Sequence, residues 1–381
     1  MNIEVLKSLK SRYVPVGKID FCDPKLKWTD KDAYFYYPYM LVNLLQFNKS
    51  KEEHGFNKDT FLLNDSGGFQ VISGTCNYDW KQSLEQQLMI GSSRIFAFDK
   101  PPLKKKRADG GNAEFVGMAY DETLRIINEN IDTAIKQSKY LQEHYTERIK
   151  DFFYVMHGNT KELLDYNLQQ IVNKIGKGNF PKYFGGACYG SKIDNNIQLT
   201  TVTLHANRHF IKKDLPVHFL GAGSPTRMII LVRNKITTFD SGTALTGATY
   251  WAFYNNLNIS HSGGGKVASL SKDNWPFNFQ FCDCPICSNI DYKELIKNDA
   301  TKVGEYIFVH NVYQLIKFNV FLDSIELDKY TDMINDFCTI NKETQMCLEY
   351  CDYADKVGFE IAYKKYKHFG KHDKTKQKAL F

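Results

Sequence analysis

The amino-acid sequence predicts an α/β protein built on a parallel β-sheet. Strand-like apolar segments alternate with amphipathic helical segments, and the strand-like segments end in an acid, another polar residue or glycine. Six or seven such units follow one another between residues 39 and 240. That number favours a closed (β/α)8 TIM barrel, with an open doubly wound sheet as the alternative.

The composition is that of an ordinary soluble globular protein, with 43% hydrophobic and 24% charged residues among 381. No apolar run reaches the roughly 18 residues of a membrane span. The segment from Met1 to Lys7 lacks the basic and then apolar layout of a secretory signal. We therefore expect a cytoplasmic protein. The net charge of +6 permits a polyanionic partner without requiring one.

The first strands lead to a short acidic and glycine-rich motif. A strand is predicted around Tyr39–Asn43, and the apolar run Phe61–Leu63 forms a second strand that enters Asn64-Asp65-Ser66-Gly67-Gly68. The glycines allow positive φ and close approach of a ligand to the backbone. Asp65 then lies at the carboxyl end of a strand, where α/β sheets and barrels keep their chemistry. Taken alone, the motif is equally well explained as a plain turn.

The elements that follow continue the alternation. A helix at 78–90 precedes a strand at 94–99 that ends in Asp99 and is stopped by Pro101 and Pro102. Residues 101–118, which contain Lys104–Arg107, are predicted to form an exposed loop; such a loop could hold phosphates, although solvated charged loops are commoner. The further segments are helices at 122–145, 161–175 and 195–212, a short helix from 224, strands at 152–156, 217–220 and 236–240, and helices at 292–363.

A dense cysteine cluster predicts a metal site. Cys282-x-Cys284-x2-Cys287 is followed after 22 residues by His310, which together supply the closed tetrahedral ligand set of a structural Zn²⁺ site. The total of nine cysteines is odd, which argues against a framework of disulfides. The alternative, three unrelated buried cysteines, is disfavoured by the close spacing.

At this point the sequence resembles the tRNA-guanine transglycosylase superfamily. The matching stretches, in order, are Asp65–Val71, Phe98–Pro102, Tyr183–Gly186, Phe219–Pro225, Thr238–Asp240 and Cys282–Asn311. The resemblance implies a (β/α)8 barrel with a zinc-bearing insertion near its C-terminal end. It also implies an enzyme that exchanges a base in an intact nucleic acid for a 7-deazaguanine. We expect a catalytic barrel over residues 1–275, a zinc subdomain over 276–320, and C-terminal helices with a basic tail over 321–381.

The resemblance assigns separate roles to two carboxylates. Asp240 is similar in position to the nucleophile that attacks the sugar C1′, and Asp65 to the general acid/base. The residues that the resemblance assigns to substrate binding are Ser66, Gly67, Asp99, His157, Gly186 and Ala187. Asp99 matches the acid that holds the guanine edge. His157 stands where the family usually has Gln, so it either bonds the base or is a packed core histidine.

Departures from the family pattern bear on the substrate. Ser191 replaces a glutamate that helps bacterial enzymes accept a cationic base, which favours a neutral incoming base such as preQ0. The residues after Asp240, up to Trp251, contain no arginine, whereas the tRNA enzymes have arginines there. The chain therefore looks more like the DpdA-like enzymes that modify DNA. A tRNA-modifying enzyme and a catalytically silent nucleic-acid-binding subunit are the alternatives, and the presence of both carboxylates disfavours the silent subunit. The oligomeric state is open, a homodimer included.

Overall fold

A computed structural model describes residues 3–46, 49–107, 113–249, 252–254, 266–269, 284–338 and 340–369. Its largest element is a six-stranded parallel sheet. In spatial order the strands are β1 (Arg12–Pro15), β10 (Thr238–Ser241), β9 (Val217–Phe219), β8 (Gly186–Tyr189), β7 (Phe152–Met156) and β4 (Ile95–Phe96). Since all carboxyl ends of a parallel sheet lie at one edge, the residues that follow these strands are brought together.

Two further parallel strands, β2 (Tyr39–Val42) and β3 (Phe61–Asn64), pair with each other. Single parallel bridges, Val16 with Leu41 and Leu63 with Arg94, connect this pair to the two edge strands of the larger sheet. The predicted α/β class and parallel sheet are confirmed. The continuous ladder covers six strands, so closure into a complete (β/α)8 barrel stays a prediction.

Helices connect successive strands of the sheet. They are α2 (Gly68–Ser73), α3 (Trp80–Ile90), α4 (Tyr120–His144), α5 (Lys161–Ile175), α6 (Phe180–Tyr183), α7 (Asn196–His209), α8 (Pro225–Arg233) and α9 (Thr243–Thr249), and α1 (Ile3–Ser8) precedes β1. Local signals account for several starts. Asp79 and Gln82 form a capping box before α3, and the Thr160 hydroxyl caps α5.

The prediction of an exposed loop over residues 101–118 is wrong. The chain forms an antiparallel hairpin of β5 (Leu103–Arg107) and β6 (Ala113–Gly117). The cations at 104–107 lack the apolar alternation that predicts a strand. Backbone pairing with β6 and one aromatic contact nevertheless stabilise β5. The ring of Phe115 lies 4.9 Å from that of Phe69, between centroids. Lys104 and Lys105 are exposed, as expected.

The sequence reading also missed β1, which pairs with β10 so that Val14 lies opposite Asp240. Four residues without polar alternation carry little strand signal of their own. A distant helix supports this strand: the Asn319 side chain accepts from the Tyr13 amide at 2.7 Å and donates to the Ser11 carbonyl at 3.1 Å.

The C-terminal part is helical, as predicted. It contains α10 (Tyr292–Ser324), α11 (Tyr330–Phe337), α12 (Lys342–Val357) and α13 (Phe359–Tyr366), and a small antiparallel pair, β11 (Ala252–Tyr254) and β12 (Lys266–Ser269), precedes it. One apolar core runs from Leu6 to Leu348. Among the described helices, none combines the length and hydropathy needed to cross a bilayer. The predicted division at residues 275 and 320 stays a prediction.

Candidate active site

Asp65 follows β3 and is held by its own turn. Gly67 adopts φ +78°, a left-handed conformation that glycine enters without strain. The Asp65 carboxylate accepts the Leu44 amide at 3.2 Å and the Gln70 side-chain amide at 2.7 Å. Burial raises the pKa of Asp65, against the lowering effect of those two bonds. Asp65 therefore keeps its proton to a higher pH than an exposed aspartate.

Gly68 allows the Asp65 turn to meet Asp99. A Cβ on Gly68 would lie 1.7 Å from the Asp99 carbonyl oxygen, so no larger residue fits without movement of the backbone. The Ser66 hydroxyl donates to Asp99 Oδ1 at 2.6 Å. The two glycines of the motif thus have different functions. Gly67 provides the left-handed backbone conformation, and Gly68 lets the backbone of the turn lie close to that of Asp99.

His157 holds the other oxygen of Asp99. Its Nε2 lies 2.8 Å from Asp99 Oδ2, and its side chain is fully buried. The backbone carbonyl of His157 accepts the Asn167 side-chain amide at 3.0 Å. Both oxygens of Asp99 are therefore engaged, and the carboxylate has a defined orientation in the buried site. His157 is thus a packed core histidine that contacts Asp99, and its bond to a base stays a prediction.

Asp240 lies in β10 and is oriented by two groups from the neighbouring strand β9 and its loop. The Gly221 amide at 3.0 Å and His218 Nε2 at 3.1 Å both contact Asp240 Oδ1. His218 Nδ1 lies 2.9 Å from the Thr238 hydroxyl. If that hydroxyl donates to Nδ1, the imidazole proton is on Nε2 and points to the carboxylate. Within the described residues, no hydrogen bond reaches Asp240 Oδ2.

Sequence reasoning missed His218. It lies inside a strand and carries no motif of its own, and only the pairing register, with Thr238 opposite His218, brings it to Asp240. The contact of Nδ1 with the Thr238 hydroxyl and the ring packing against Phe96, at 5.0 Å between centroids, fix its orientation.

The three acids influence one another. Besides burial, the charges of Asp99 and Asp240 both raise the pKa of Asp65. Cys188 of β8 is fully buried, and its pKa is raised well above the usual value by burial and by the charges of Asp99 and Asp240. Asp65 and Asp99, which follow β3 and β4, and Asp240 of β10 are therefore close enough for their charges to interact.

Gly186 and Ala187 begin β8, opposite Phe153 and Tyr154 of β7. They lie about 7–10 Å of strand before its carboxyl end at Tyr189, and their contact with a base stays a prediction. Gly190 follows that end. A Cβ there would lie 3.4 Å from His157 Cε1, so Gly190 borders the histidine that holds Asp99.

A cleft of about 600 Å³ adjoins the site. One wall is the β5–β6 hairpin, and the floor contains Gly158 and Ser191, which follow β7 and β8. The Gly158 amide donates to the Ser191 hydroxyl at 2.6 Å, so Ser191 belongs to this floor. The cleft is large enough for a nucleotide-sized group, and Gly158 in its lining directly follows His157, the partner of Asp99.

Three of the four predicted metal ligands lie together. Cys284 Sγ and Cys287 Sγ are each 3.2 Å from His310 Nδ1, and Cys282 lies outside the described residues. His310 Nε2 lies 2.7 Å from the Tyr254 carbonyl. A carbonyl can only accept, so Nε2 carries the proton and the Nδ1 lone pair faces both sulfurs. That is the tautomer a metal ligand needs, and the cluster could hold a metal ion.

Comparison with known proteins assigns the chain. Residues 39–343 match the TGT family, described as queuine tRNA-ribosyltransferase. The chain belongs to this family. This TGT-family chain is 26% identical over 283 residues to the queuine tRNA-ribosyltransferase of Natranaerobius thermophilus, which covers 68% of the chain and 70% of that relative. It is 24% identical over 257 residues to the protein of the same name from Francisella tularensis subsp. mediasiatica, which covers 65% of the chain and 66% of that relative.

The family match confirms two predictions at the level of the superfamily. The chain is a transglycosylase-family enzyme of the pentosyltransferase class. The prediction of a DpdA-like branch gains no support from these relatives, because both carry names that refer to tRNA.

Proposed function

We propose that this enzyme exchanges guanine in a nucleic acid for a 7-deazaguanine base, with Asp240 as nucleophile and Asp65 as general acid/base. The observation that carries the proposal is the convergence of Asp65, Asp99 and Asp240 at one edge of the sheet in a TGT-family chain. Base exchange at a sugar needs one carboxylate that attacks and one that moves protons.

The environments of the two carboxylates suit these roles. Asp240 Oδ1 is held by the Gly221 amide and His218, so Oδ2 is the oxygen that attacks C1′ while the C1′–N9 bond of guanosine breaks. Asp65, with its raised pKa, gives its proton to the departing guanine. The incoming base then returns a proton to Asp65, its N9 bonds to C1′, and the bond to Asp240 breaks.

Asp99 is the acceptor for the guanine edge. Guanine presents neighbouring N–H donors that a carboxylate can accept as a pair. Ser66 and His157 each hold one oxygen of Asp99, which fixes the plane of the carboxylate before the base arrives. Such preorganisation reduces the ordering cost of binding.

We propose tRNA as the nucleic acid, on the support of the relatives' names. DNA is the second candidate, and one observation favours it: α9, which follows Asp240, contains no arginine to grip the phosphates beside the target nucleotide. For the incoming base, Ser191 brings no charge to the floor of the cleft, which supports a neutral base such as preQ0 over an aminomethyl base.

One experiment tests the reaction and distinguishes the substrates. The chain is incubated with labelled guanine and either unmodified tRNA or duplex DNA, and label in each polymer is counted. We expect label in tRNA, and loss of at least about 10³-fold in the rate for Asp240→Asn. Asp332→Asn, an exposed aspartate on α11, is the matched control. Label only in DNA would reverse the substrate choice, and label with neither polymer would refute base exchange.

We also propose that Cys284, Cys287 and His310 hold a structural zinc ion, with Cys282 as the fourth ligand. The support is the His310 tautomer and the position of its Nδ1 before two sulfurs. Zinc would cross-link the loop to α10. Metal analysis of the full chain should show that Cys284→Ser holds one equivalent of zinc less than the wild type and has a lower thermal midpoint. Equal zinc content in the two proteins would refute the ligand assignment.

The same proposal extends to the fold. We propose that β2 and β3 close the sheet into a (β/α)8 barrel. The support is the pair of bridges that joins them to both edges of the six-stranded sheet. A closed barrel would put the carboxyl end of β3, and with it Asp65, next to β4, which leads to Asp99, and across the interior from β10, which carries Asp240.

A further inference from the structure

A second group of metal-ligating side chains lies in the helical layer, away from the acids. It consists of Asp165 on α5 with His205 and His209 on α7, and one ligand atom from each lies within 4.8 Å of the other two. The two histidines are four residues apart, so their rings project from the same face of α7. The rings lie 4.4 Å apart between centroids.

His205 has a ring nitrogen that lacks a good partner. The side chain is fully buried, and within the described residues Nε2 makes no hydrogen bond. The nearest acceptor, Asp165 Oδ1, is 3.5 Å away, which is long for an N–H···O bond. An unpaired polar atom in the core is costly, and native structures rarely keep one without a ligand or water.

The distance between His205 Nε2 and Asp165 Oδ1 suits two ligands of one metal ion better than a direct hydrogen bond. Zinc binds imidazole nitrogen and carboxylate oxygen at about 2.0–2.2 Å, so two ligand atoms of a tetrahedral site lie about 3.4 Å apart. The separation between His205 Nε2 and Asp165 Oδ1 matches that edge. We propose that Asp165, His205 and His209 bind a divalent transition metal ion of the zinc class, with water in the fourth position.

A buried tyrosine prepares His205 for this role. The Tyr189 hydroxyl lies 3.0 Å from His205 Nδ1. When Nδ1 donates to that hydroxyl, the Nε2 lone pair faces the carboxylate and the ion. Metal-bound histidines usually donate their second nitrogen to such an outer partner, which fixes the tautomer and the ring orientation.

The charge states are those that a metal requires. Burial lowers the pKa of His205, and burial with the neighbouring His205 lowers the pKa of His209 to about 4. Burial raises the pKa of Asp165, but the contacts with His205 and Lys161 outweigh burial and lower the pKa to about 2. Neutral imidazoles and an ionised carboxylate bind metal without first losing protons. Lys161 contacts Asp165 Oδ2 at 2.5 Å, which leaves Oδ1 for the ion.

The ion would join α5 to α7, the helices that follow β7 and β8. This clamp is independent of the cysteine cluster and of the proposed reaction. Two imidazoles and a carboxylate lack thiolate, so the two sites differ in their spectra: cobalt at the cysteine cluster shows sulfur-to-metal charge transfer, and cobalt at this site does not.

The test is a Co²⁺ titration of the metal-stripped full chain, with the thiolate band and the ligand-field band followed separately. We expect His209→Ala to remove the uptake that lacks charge transfer and Asp165→Asn to weaken it at least about tenfold. Tyr189→Phe, which keeps the ring, should weaken it about 10- to 100-fold. His144→Ala, an exposed histidine on α4, should change nothing.

Two results would overturn the proposal. One is wild-type protein that binds cobalt only with charge transfer, which would make the cluster a hydrogen-bonded pair without metal. The other is equal uptake by wild type and His209→Ala, with both folded by circular dichroism. Because the readout is metal binding, it does not depend on whether base exchange is observed.

Discussion

The bond between Gln70 and Asp65 predicts a shift in the pH dependence of the chemical step. The Gln70 amide donates to the carboxylate at 2.7 Å and favours its ionised form. Gln70→Met keeps the length of the side chain and removes the donor, so the pKa of Asp65 rises further. A hydrogen bond to a charged group contributes about 1.5–3 kcal/mol, and 1.36 kcal/mol corresponds to one unit. The pKa of Asp65 is therefore expected to increase by about one to two units.

The assay is formation of the covalent enzyme–nucleic acid adduct in a single turnover without incoming base, resolved on denaturing gels across pH. Guanine departure needs protonated Asp65, so the rate falls as pH rises through its pKa. In Gln70→Met that fall should come about one to two pH units higher. Gln345→Met, which removes a comparable amide–carboxylate contact on α12 at 3.4 Å, should leave the profile in place. If the rate of adduct formation in Gln70→Met falls at the same pH as in the wild type, the assignment of Asp65 as proton donor is refuted.

Three further changes test other parts of the site. Gly68→Ala should lower base exchange at least about 100-fold, because its Cβ would lie 1.7 Å from a backbone oxygen, whereas Gly117→Ala meets nothing within 4 Å and should be silent. His218→Phe should lower kcat about 10- to 150-fold with KM nearly unchanged, since it removes one hydrogen bond from the nucleophile. Lys104→Gln with Lys105→Gln should weaken nucleic-acid binding and reduce the slope of log K against log salt by about two.

For each of these three predictions, one result would contradict it. Equal activity of Gly68→Ala and Gly117→Ala would show that the close approach is not needed. A change in KM alone for His218→Phe would mean that it binds substrate rather than orients the nucleophile. An unaltered salt slope in the double lysine variant, measured by fluorescence anisotropy, would show that the hairpin faces solvent only.

The sequence predicted the strands that end in acids better than the contacts between them. Asp65, Asp99 and Asp240 each follow an apolar run, and that local pattern is enough to place an acid at a strand end. The role of His218 depends on pairing register, which a strand does not encode by itself. The same limit applies to Gly186 and Ala187: the sequence contains the glycine-rich segment, but its position along β8 follows from pairing with β7.

The sequence did not predict the β5–β6 hairpin or strand β1, for a different reason. The β5–β6 hairpin contains four consecutive cations. Such a run predicts an exposed loop, because Lys is uncommon in strands. Strand β1 is short and is stabilised by distant groups, above all Asn319 on α10. Tertiary support from residues about 300 positions away leaves no local signal. The cluster of Cys284, Cys287 and His310 was predictable because the spacing of these residues in the sequence is itself the signal.

The single bridges on either side of β2 and β3 have a consequence for motion. The strand that carries Asp240 is paired over four residues with β1 and over two with β9, whereas the pair that leads to Asp65 is attached by a single bridge on each side. Amide hydrogens along those two seams should exchange with deuterated solvent sooner than those beside the nucleophile. A ligand that spans both carboxylates would close the seams, so slowed exchange at Leu41 and Leu63 would report occupancy of the site without any turnover.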